Sequence, residues 1–138
     1  MTDTTQHDAL RWVDEAEKDL QDAAMLLRHE SYYPLCRLAH LAAEKALRGW
    51  LLGKGQHVSP QSTLALLGQQ VEAAEPALGM LMSSLRALEP FAPPTQSPTA
   101  LQGRPSSPPL YGRETAKQSL ALATQAIMAA KRSLLKAG

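Results

Sequence analysis

With 138 residues, the chain has room for one hydrophobic core but not for two, so a single domain is expected. Its composition is that of a soluble globular protein, and the aromatic content of only 4% predicts a leucine- and alanine-based core, which suits helices. No membrane-length apolar run and no signal-peptide pattern are visible, and the single cysteine excludes an internal disulfide, so we expect a cytoplasmic protein.

The net charge of +1 is unevenly distributed along the chain. Residues 1–30 carry eight acids and three bases, whereas residues 90–138 carry one acid and six bases. The basic C-terminal third could face phosphate groups, or it could pair with the acidic first helix of its own or a second chain. We favour the pairing interpretation.

Apolar residues recur at every third or fourth position over residues 8–30 and predict an amphipathic helix. A second helix is predicted from Ser31, as the N-cap, to residue 53, with Pro34 in its first turn. Its wide apolar arc places it at the centre of a bundle. Four small residues on that arc would let neighbouring helices approach closely, namely Ala39, Ala42, Ala43 and Ala46.

Two glycines and a proline interrupt the helical pattern after residue 53. The pair Ser59 and Pro60 resembles an N-cap followed by a first helical position, which predicts a third helix over residues 61–74. A fourth helix is predicted over residues 76–88 from its regularly spaced leucines.

Residues 90–109 hold seven of the ten prolines and are predicted to form a long exposed loop. The last helix is predicted over residues 111–136, and no strand pattern of comparable strength occurs. The fold class expected is therefore all-α. It is an up-and-down bundle of four to five helices, forming one domain over residues 1–138, with the Pro-rich loop before the last helix.

Motifs for metal, nucleophile and phosphate-loop chemistry are missing from the sequence. His40 and Glu44 are four residues apart and share a helix face, but di-metal bundles need further Glu-x-x-His motifs on other helices. We therefore expect no metal site, no cofactor and no catalytic residue of a standard type. His40 is expected to lie inside the bundle or against a partner helix.

Four stretches resemble successive blocks of HEPN-domain proteins over nearly the whole chain, in the same order. They are "WVDEAEKDLQDAAMLL", "YYPLCRLAHLAAEKALRGWLLGKG", "SPQSTLALL" and "LYGRETAKQSLALATQAI". The second block is the most specific, with an aromatic pair, a Cys or small residue and then Ala-Ala-Glu-Lys-Ala-Leu. The resemblance implies a small dimeric bundle concerned with nucleotides or RNA. In several branches of the family, the protein with this bundle pairs with a minimal nucleotidyltransferase in toxin–antitoxin modules.

Other branches of the family are metal-independent ribonucleases, and their motif is Arg, four to six residues, and then His. The nearest combinations in this chain are Arg37-x2-His40 and Arg48-x8-His57, and neither fits the motif. The resemblance therefore argues against a ribonuclease. An imidazole for proton transfer and a guanidinium for the scissile phosphate would have to come from other positions.

Two interpretations are open for Glu44, Lys45 and Arg48. In one, Glu44 and Arg48 form an ordinary i, i+4 pair on the solvated side of a central helix. In the other, basic groups line a cleft that accepts a nucleotide or phosphate. The candidates for that cleft are Lys45, Arg48, Lys54, Arg104 and Arg113.

The function expected is a non-catalytic homodimeric module with a weak or vestigial nucleotide site and a partner protein such as a minimal nucleotidyltransferase. No membrane or DNA partner is expected. The alternative is an RNA-cleaving toxin whose site is assembled across the dimer from His40, His57 and Arg48.

Overall fold

The computed structural model describes residues 3–92 and 112–137. These residues contain five α-helices and no strand, which confirms the all-α prediction. Two short 3-10 helices, Pro76–Leu78 and Arg86–Phe91, flank the fourth α-helix. The α-helices are α1 (Asp3–Arg28), α2 (Tyr32–Gly53), α3 (Leu64–Ala74), α4 (Gly79–Leu85) and α5 (Arg113–Ala137). None of these helices combines the length and the apolar composition that a membrane crossing requires.

Helix α2 is the centre of the bundle, as its wide apolar arc predicts, and it packs against α1, α3 and α5. Its four alanines are completely buried, so they provide the close helix contacts expected of small side chains. Helix α1 runs antiparallel to α2, with Ala9 beside Gly49. Helix α5 runs parallel to α2, because Ser119 lies beside Cys36 and Leu134 beside Gly53.

The basic last helix pairs with the acidic first helix of the same chain. The Nζ atom of Lys131 lies 2.7 Å from the Oε2 atom of Glu17. This is one of the two pairings that the charge distribution left open, and it joins α5 to α1 across the surface. Such an exposed ion pair contributes at most about 1 kcal/mol, so it selects the arrangement of the helices only weakly.

The start of the third helix differs from the prediction. Helix α3 begins at Leu64 and not at residue 61, and its N-cap is Thr63, whose Oγ1 atom accepts a hydrogen bond from the Leu66 N–H at 3.2 Å. The predicted cap, Ser59 with Pro60, lies in a turn instead. The reason is tertiary, since the carbonyl groups of this turn bind a side chain of α2.

Two other segments also differ from expectation. The predicted helix over residues 76–88 is divided into a 3-10 helix, the seven-residue α4 and a second 3-10 helix. That second 3-10 helix continues to Phe91, so the beginning of the predicted loop, residues 90–109, is ordered and buries the Phe91 ring. The rest of that loop, from residue 93, and Tyr111 lie outside the described residues.

The revised N-cap leads to a stability prediction. Replacing Thr63 with alanine should lower the free energy of unfolding by about 1 kcal/mol, because the Leu66 N–H loses its acceptor. Replacing Ser59 with alanine should cost less than about 0.5 kcal/mol, since its hydroxyl accepts only an exposed turn hydrogen bond. Urea unfolding of both variants decides between the two caps, and a larger loss for Ser59→Ala would contradict the assignment.

Candidate functional site

The polar residues Glu44, Lys45 and Arg48 lie on the one side of α2 that the other described helices leave open. There they line a groove between α1 and the segment 54–62 that follows α2, and its volume is about 410 Å³. The remaining lining residues are apolar, namely Trp12, Leu41, Leu52, Val58 and Pro60. The groove is therefore a mixed surface, with an apolar floor and a polar edge.

Arg48 is 7% exposed and acts as a clamp on the segment after α2. Its guanidinium donates hydrogen bonds to three backbone carbonyl oxygens, those of Ser59 (3.0 Å), Pro60 (3.2 Å) and Ser62 (2.9 Å). The Nη2 atom also lies 3.6 Å from the Oε1 atom of Glu44. A guanidinium has five N–H donors, and most of them are used by these internal partners.

Lys45 is also neutralised inside the chain. Its Nζ atom lies 2.9 Å from the Oδ2 atom of Asp19 and 3.7 Å from the Oε2 atom of Glu15, both on α1. The i, i+4 pairing of Glu44 with Arg48 is present as well, but it does not lie on a solvated side of the helix, because Arg48 is buried. The groove therefore contains cations whose charge is already balanced by neighbouring carboxylates.

The other described cations that were predicted to line a phosphate site lie apart from Lys45 and Arg48. Lys54 follows the end of α2, and its Nζ atom lies 5.2 Å from the centre of the Trp50 ring. Arg113 begins α5, whose start lies near the opposite end of α2 because Ser119 contacts Cys36. Arg104 lies outside the described residues. The structure thus brings together Lys45 and Arg48 alone among the described candidates, and phosphate binding stays a prediction.

A second cavity of about 210 Å³ adjoins the groove and is lined in part by Arg37, His40 and Glu44. His40 is 3% exposed, and its Nδ1 atom lies 4.0 Å from the Oε2 atom of Glu44. Burial lowers the pKa of His40, the carboxylates of Glu44 and Glu89 oppose this shift, and Arg37 adds to it. The imidazole is therefore neutral near pH 7. His57, which the ribonuclease alternative places with His40, is exposed on the segment beyond α2 and does not line this cavity.

The lowered pKa of His40 predicts a pH-dependent stability. The unfolded chain binds the imidazole proton near pH 6.5, but the folded chain binds it only at lower pH, so stability falls as the pH drops through about 6.5. His40→Gln should remove this part of the dependence. Comparing urea unfolding of both proteins between pH 5 and pH 8 tests it. A constant difference between wild type and His40→Gln would contradict it.

The apolar lining of the groove was not predicted from the sequence. Trp12 is the strongest available signal, because it is a large aromatic residue set among the charged residues of α1, beside the buried stripe. Val58 and Pro60 carry no comparable signal, since they join the groove only through the path of the segment that Arg48 holds. Among the described residues, no group of three or more His, Cys, Asp or Glu could hold a metal ion.

Comparisons with known proteins give a match to one family model and to solved structures of similar fold. A model of the HEPN domain matches residues 9–133. The crystal structure of TT1696 from Thermus thermophilus is similar with 29% identity and a TM-score of 0.69, over 91% of this chain and 97% of that chain. The crystal structure of ST0689, an archaeal HEPN homologue, covers the same shares with 19% identity and a TM-score of 0.66, which supports the fold alone. No curated protein matches the chain.

Proposed function

The chain belongs to the HEPN family, and on this basis we propose that it is a homodimeric binding module and not an enzyme. Its partner would be a protein of the minimal nucleotidyltransferase type, as in the toxin–antitoxin modules of the family, and both would be cytoplasmic. Any nucleotide or phosphate site in the groove would be weak or vestigial.

The weakness of the proposed phosphate site is supported by the contacts of Lys45 and Arg48, which are both bound by groups of the same chain. A strong phosphate site needs guanidinium or ammonium groups whose donors are free to reach the ligand. Here the donors of Arg48 are directed at three carbonyl oxygens, and Lys45 is held by Asp19 and Glu15. An incoming phosphate would have to displace these partners and would meet the repulsion of the α1 carboxylates.

Light scattering followed by titration of the same sample tests the proposal. We expect the mass of a dimer, no cleavage of a short RNA, and an ATP dissociation constant of about 1 mM or weaker. Asp19→Asn should tighten ATP binding because it removes the nearer of the two carboxylates that hold Lys45, whereas the exposed Asp22→Asn on the same helix should not. A monomer, or cleavage of the RNA, would overturn the proposal.

The partner is tested separately, by co-purification with any minimal nucleotidyltransferase that the neighbouring reading frames encode. A stable complex of defined stoichiometry is the expected result. Failure of such a protein to bind the folded dimer would remove the partner from the proposal and leave the homodimer standing.

A second candidate function is RNA cleavage, and one specific observation favours it. Arg37 and His40, although spaced differently from the family's ribonuclease motif, line the same cavity with Glu44. A neutral imidazole can accept a proton, and a guanidinium can hold a phosphate. Cleavage lost in His40→Ala and retained in the exposed His29→Ala would establish this function in place of the first.

A further inference from the structure

A narrow cleft separates α3 from α4 and from the 3-10 helix that follows α4. Its volume is about 80 Å³, and the buried side chains of Leu47, Leu64 and Met82 form its base. Among the described residues, it shares no lining side chain with the groove beside α2. The cleft is therefore a second surface feature of the bundle, separate from the candidate site described above.

Two carboxylates that line this cleft lack a full set of partners. Glu72 makes no side-chain hydrogen bond or ion pair within the described part of the chain. The Oε1 atom of Glu89 is buried and accepts no hydrogen bond from any described residue. The Nε atom of Arg86 lies 3.5 Å from it, but the Arg86 side chain is 72% exposed and screened by water. The cleft thus has two carboxylates, one cation and an unsatisfied acceptor.

The size and the chemistry of the cleft limit what can enter it. A cavity of about 150 Å³ accommodates benzene, so one of about 80 Å³ has no room for a nucleobase. Among the described residues, no group of three or more His, Cys, Asp or Glu could hold a metal ion. An organic cation on a narrow apolar stem fits both the base and the carboxylates. The arginine side chain has this form, with a planar guanidinium that can donate to two carboxylates.

The surface beside the cleft indicates that a protein supplies this arginine. An open depression shares Glu72 and Ser83 with the cleft and is also lined by Pro76 and Met80. Both of these apolar residues are exposed, and Met80 is 86% exposed. They can contact the residues that flank an arginine in a protein but not a free guanidinium compound. A buried arginine anchor with an apolar surround is typical of the energetic centre of an interface.

We propose that the cleft between α3 and α4 is the anchor site for one arginine side chain of a partner protein. The guanidinium pairs with Glu72 and Glu89, and its aliphatic stem lies on the apolar base. The residues on either side of the arginine pack against Met80. This proposal depends neither on the homodimer nor on the nucleotidyltransferase proposed above, because the cleft lies apart from the groove.

Nuclear magnetic resonance titration with N-acetylarginine amide is the first test. The compound should bind with a dissociation constant of about 1–10 mM and shift the backbone amide signals of Gly68, Gln69 and Ser83, which line the cleft. N-acetylcitrulline amide has nearly the same shape without the charge, so it should bind at least about tenfold more weakly.

Carboxylate variants locate the binding site. Glu72→Gln and Glu89→Gln should each raise the dissociation constant of N-acetylarginine amide at least about fivefold, because each removes one negative charge from the cleft. The matched control is Glu75→Gln, which removes the same charge from an exposed residue outside the cleft and should leave the constant unchanged. The dispersion of the amide spectrum checks that each variant is folded.

A peptide tests whether the arginine belongs to a protein. The acetyl-Leu-Arg-Leu amide should bind at least about fivefold more tightly than N-acetylarginine amide, because its leucines bury apolar surface on Met80. Met80→Ser should abolish this gain. Met25→Ser should retain it, since Met25 is an equally apolar side chain, 56% exposed, on α1.

Four outcomes would overturn the proposal. Equal binding of the citrulline compound, or an unchanged constant in Glu72→Gln, would remove the arginine site. Equal binding of N-acetyllysine amide would remove the choice of arginine. A peptide that binds no more tightly than the single amino acid would assign the cleft to a small guanidinium compound. Amide signals of the cleft that shift with protein concentration alone would assign it to a second copy of the chain.

Discussion

Replacing Arg48 with methionine is expected to lower the free energy of unfolding by about 3–5 kcal/mol. The substitution removes three hydrogen bonds to carbonyl oxygens and leaves the carboxylate of Glu44 without its cation. Water cannot easily replace these contacts, because Arg48 is only 7% exposed. The loss of hydrogen bonds from a charged donor and the unpaired carboxylate of Glu44 account for most of this cost. Urea unfolding, compared at an unchanged m-value, measures the loss.

Two further variants keep this prediction specific. Arg86→Met removes an arginine whose side chain is 72% exposed beside Glu89, and it should change stability by less than about 0.5 kcal/mol. Arg48→Lys should fall between the two, because an ammonium cannot reproduce the planar fork that reaches three carbonyl groups. If Arg48→Met costs no more than Arg86→Met, Arg48 is not a clamp and its guanidinium is available for a ligand.

Replacing Gly49 with alanine is expected to lower the free energy of unfolding by about 1–3 kcal/mol. A Cβ atom at this position would lie 2.9 Å from the carbonyl oxygen of Ala9 and 2.9 Å from the Cγ2 atom of Val13. The first of these is a backbone atom of α1, so it can move away only if the two helices separate. Urea unfolding measures the effect.

The matched control for this variant is Gly68→Ala in α3. A Cβ atom there meets only Met82, at 3.7 Å, which is an ordinary van der Waals contact. Alanine is the better helix former, so this variant should gain up to about 1 kcal/mol. Opposite signs for the two glycines are the expected result, and a gain for both would show that α1 and α2 are not closely packed at Gly49.

The close approach at Gly49 also bears on the groove. A Cβ atom at Gly49 would lie 3.3 Å from the Cβ atom of Trp12. The close contact of α1 with α2 at Gly49 therefore also fixes the position of Trp12, which lines the groove.

The long helices could be predicted because their evidence is local. Apolar residues at every third or fourth position over 8–30 and along α2 are visible without any knowledge of the fold, and both helices are present. The start of α3 could not be chosen in this way, because Ser59 and Thr63 are both good N-cap residues. The choice follows from Arg48, which holds the carbonyl groups of residues 59, 60 and 62 in a turn.

Local patterns in the sequence were enough to establish the all-α class, the central position of α2 and the presence of Glu44, Lys45 and Arg48 on one of its faces. What these charges do follows only from the way the helices pack. The groups that neutralise Lys45 lie on α1, and those that bind Arg48 lie in the segment after α2. Such contacts depend on how close helices pack and where a chain turns back, which are properties of the packed core and not of local spacing.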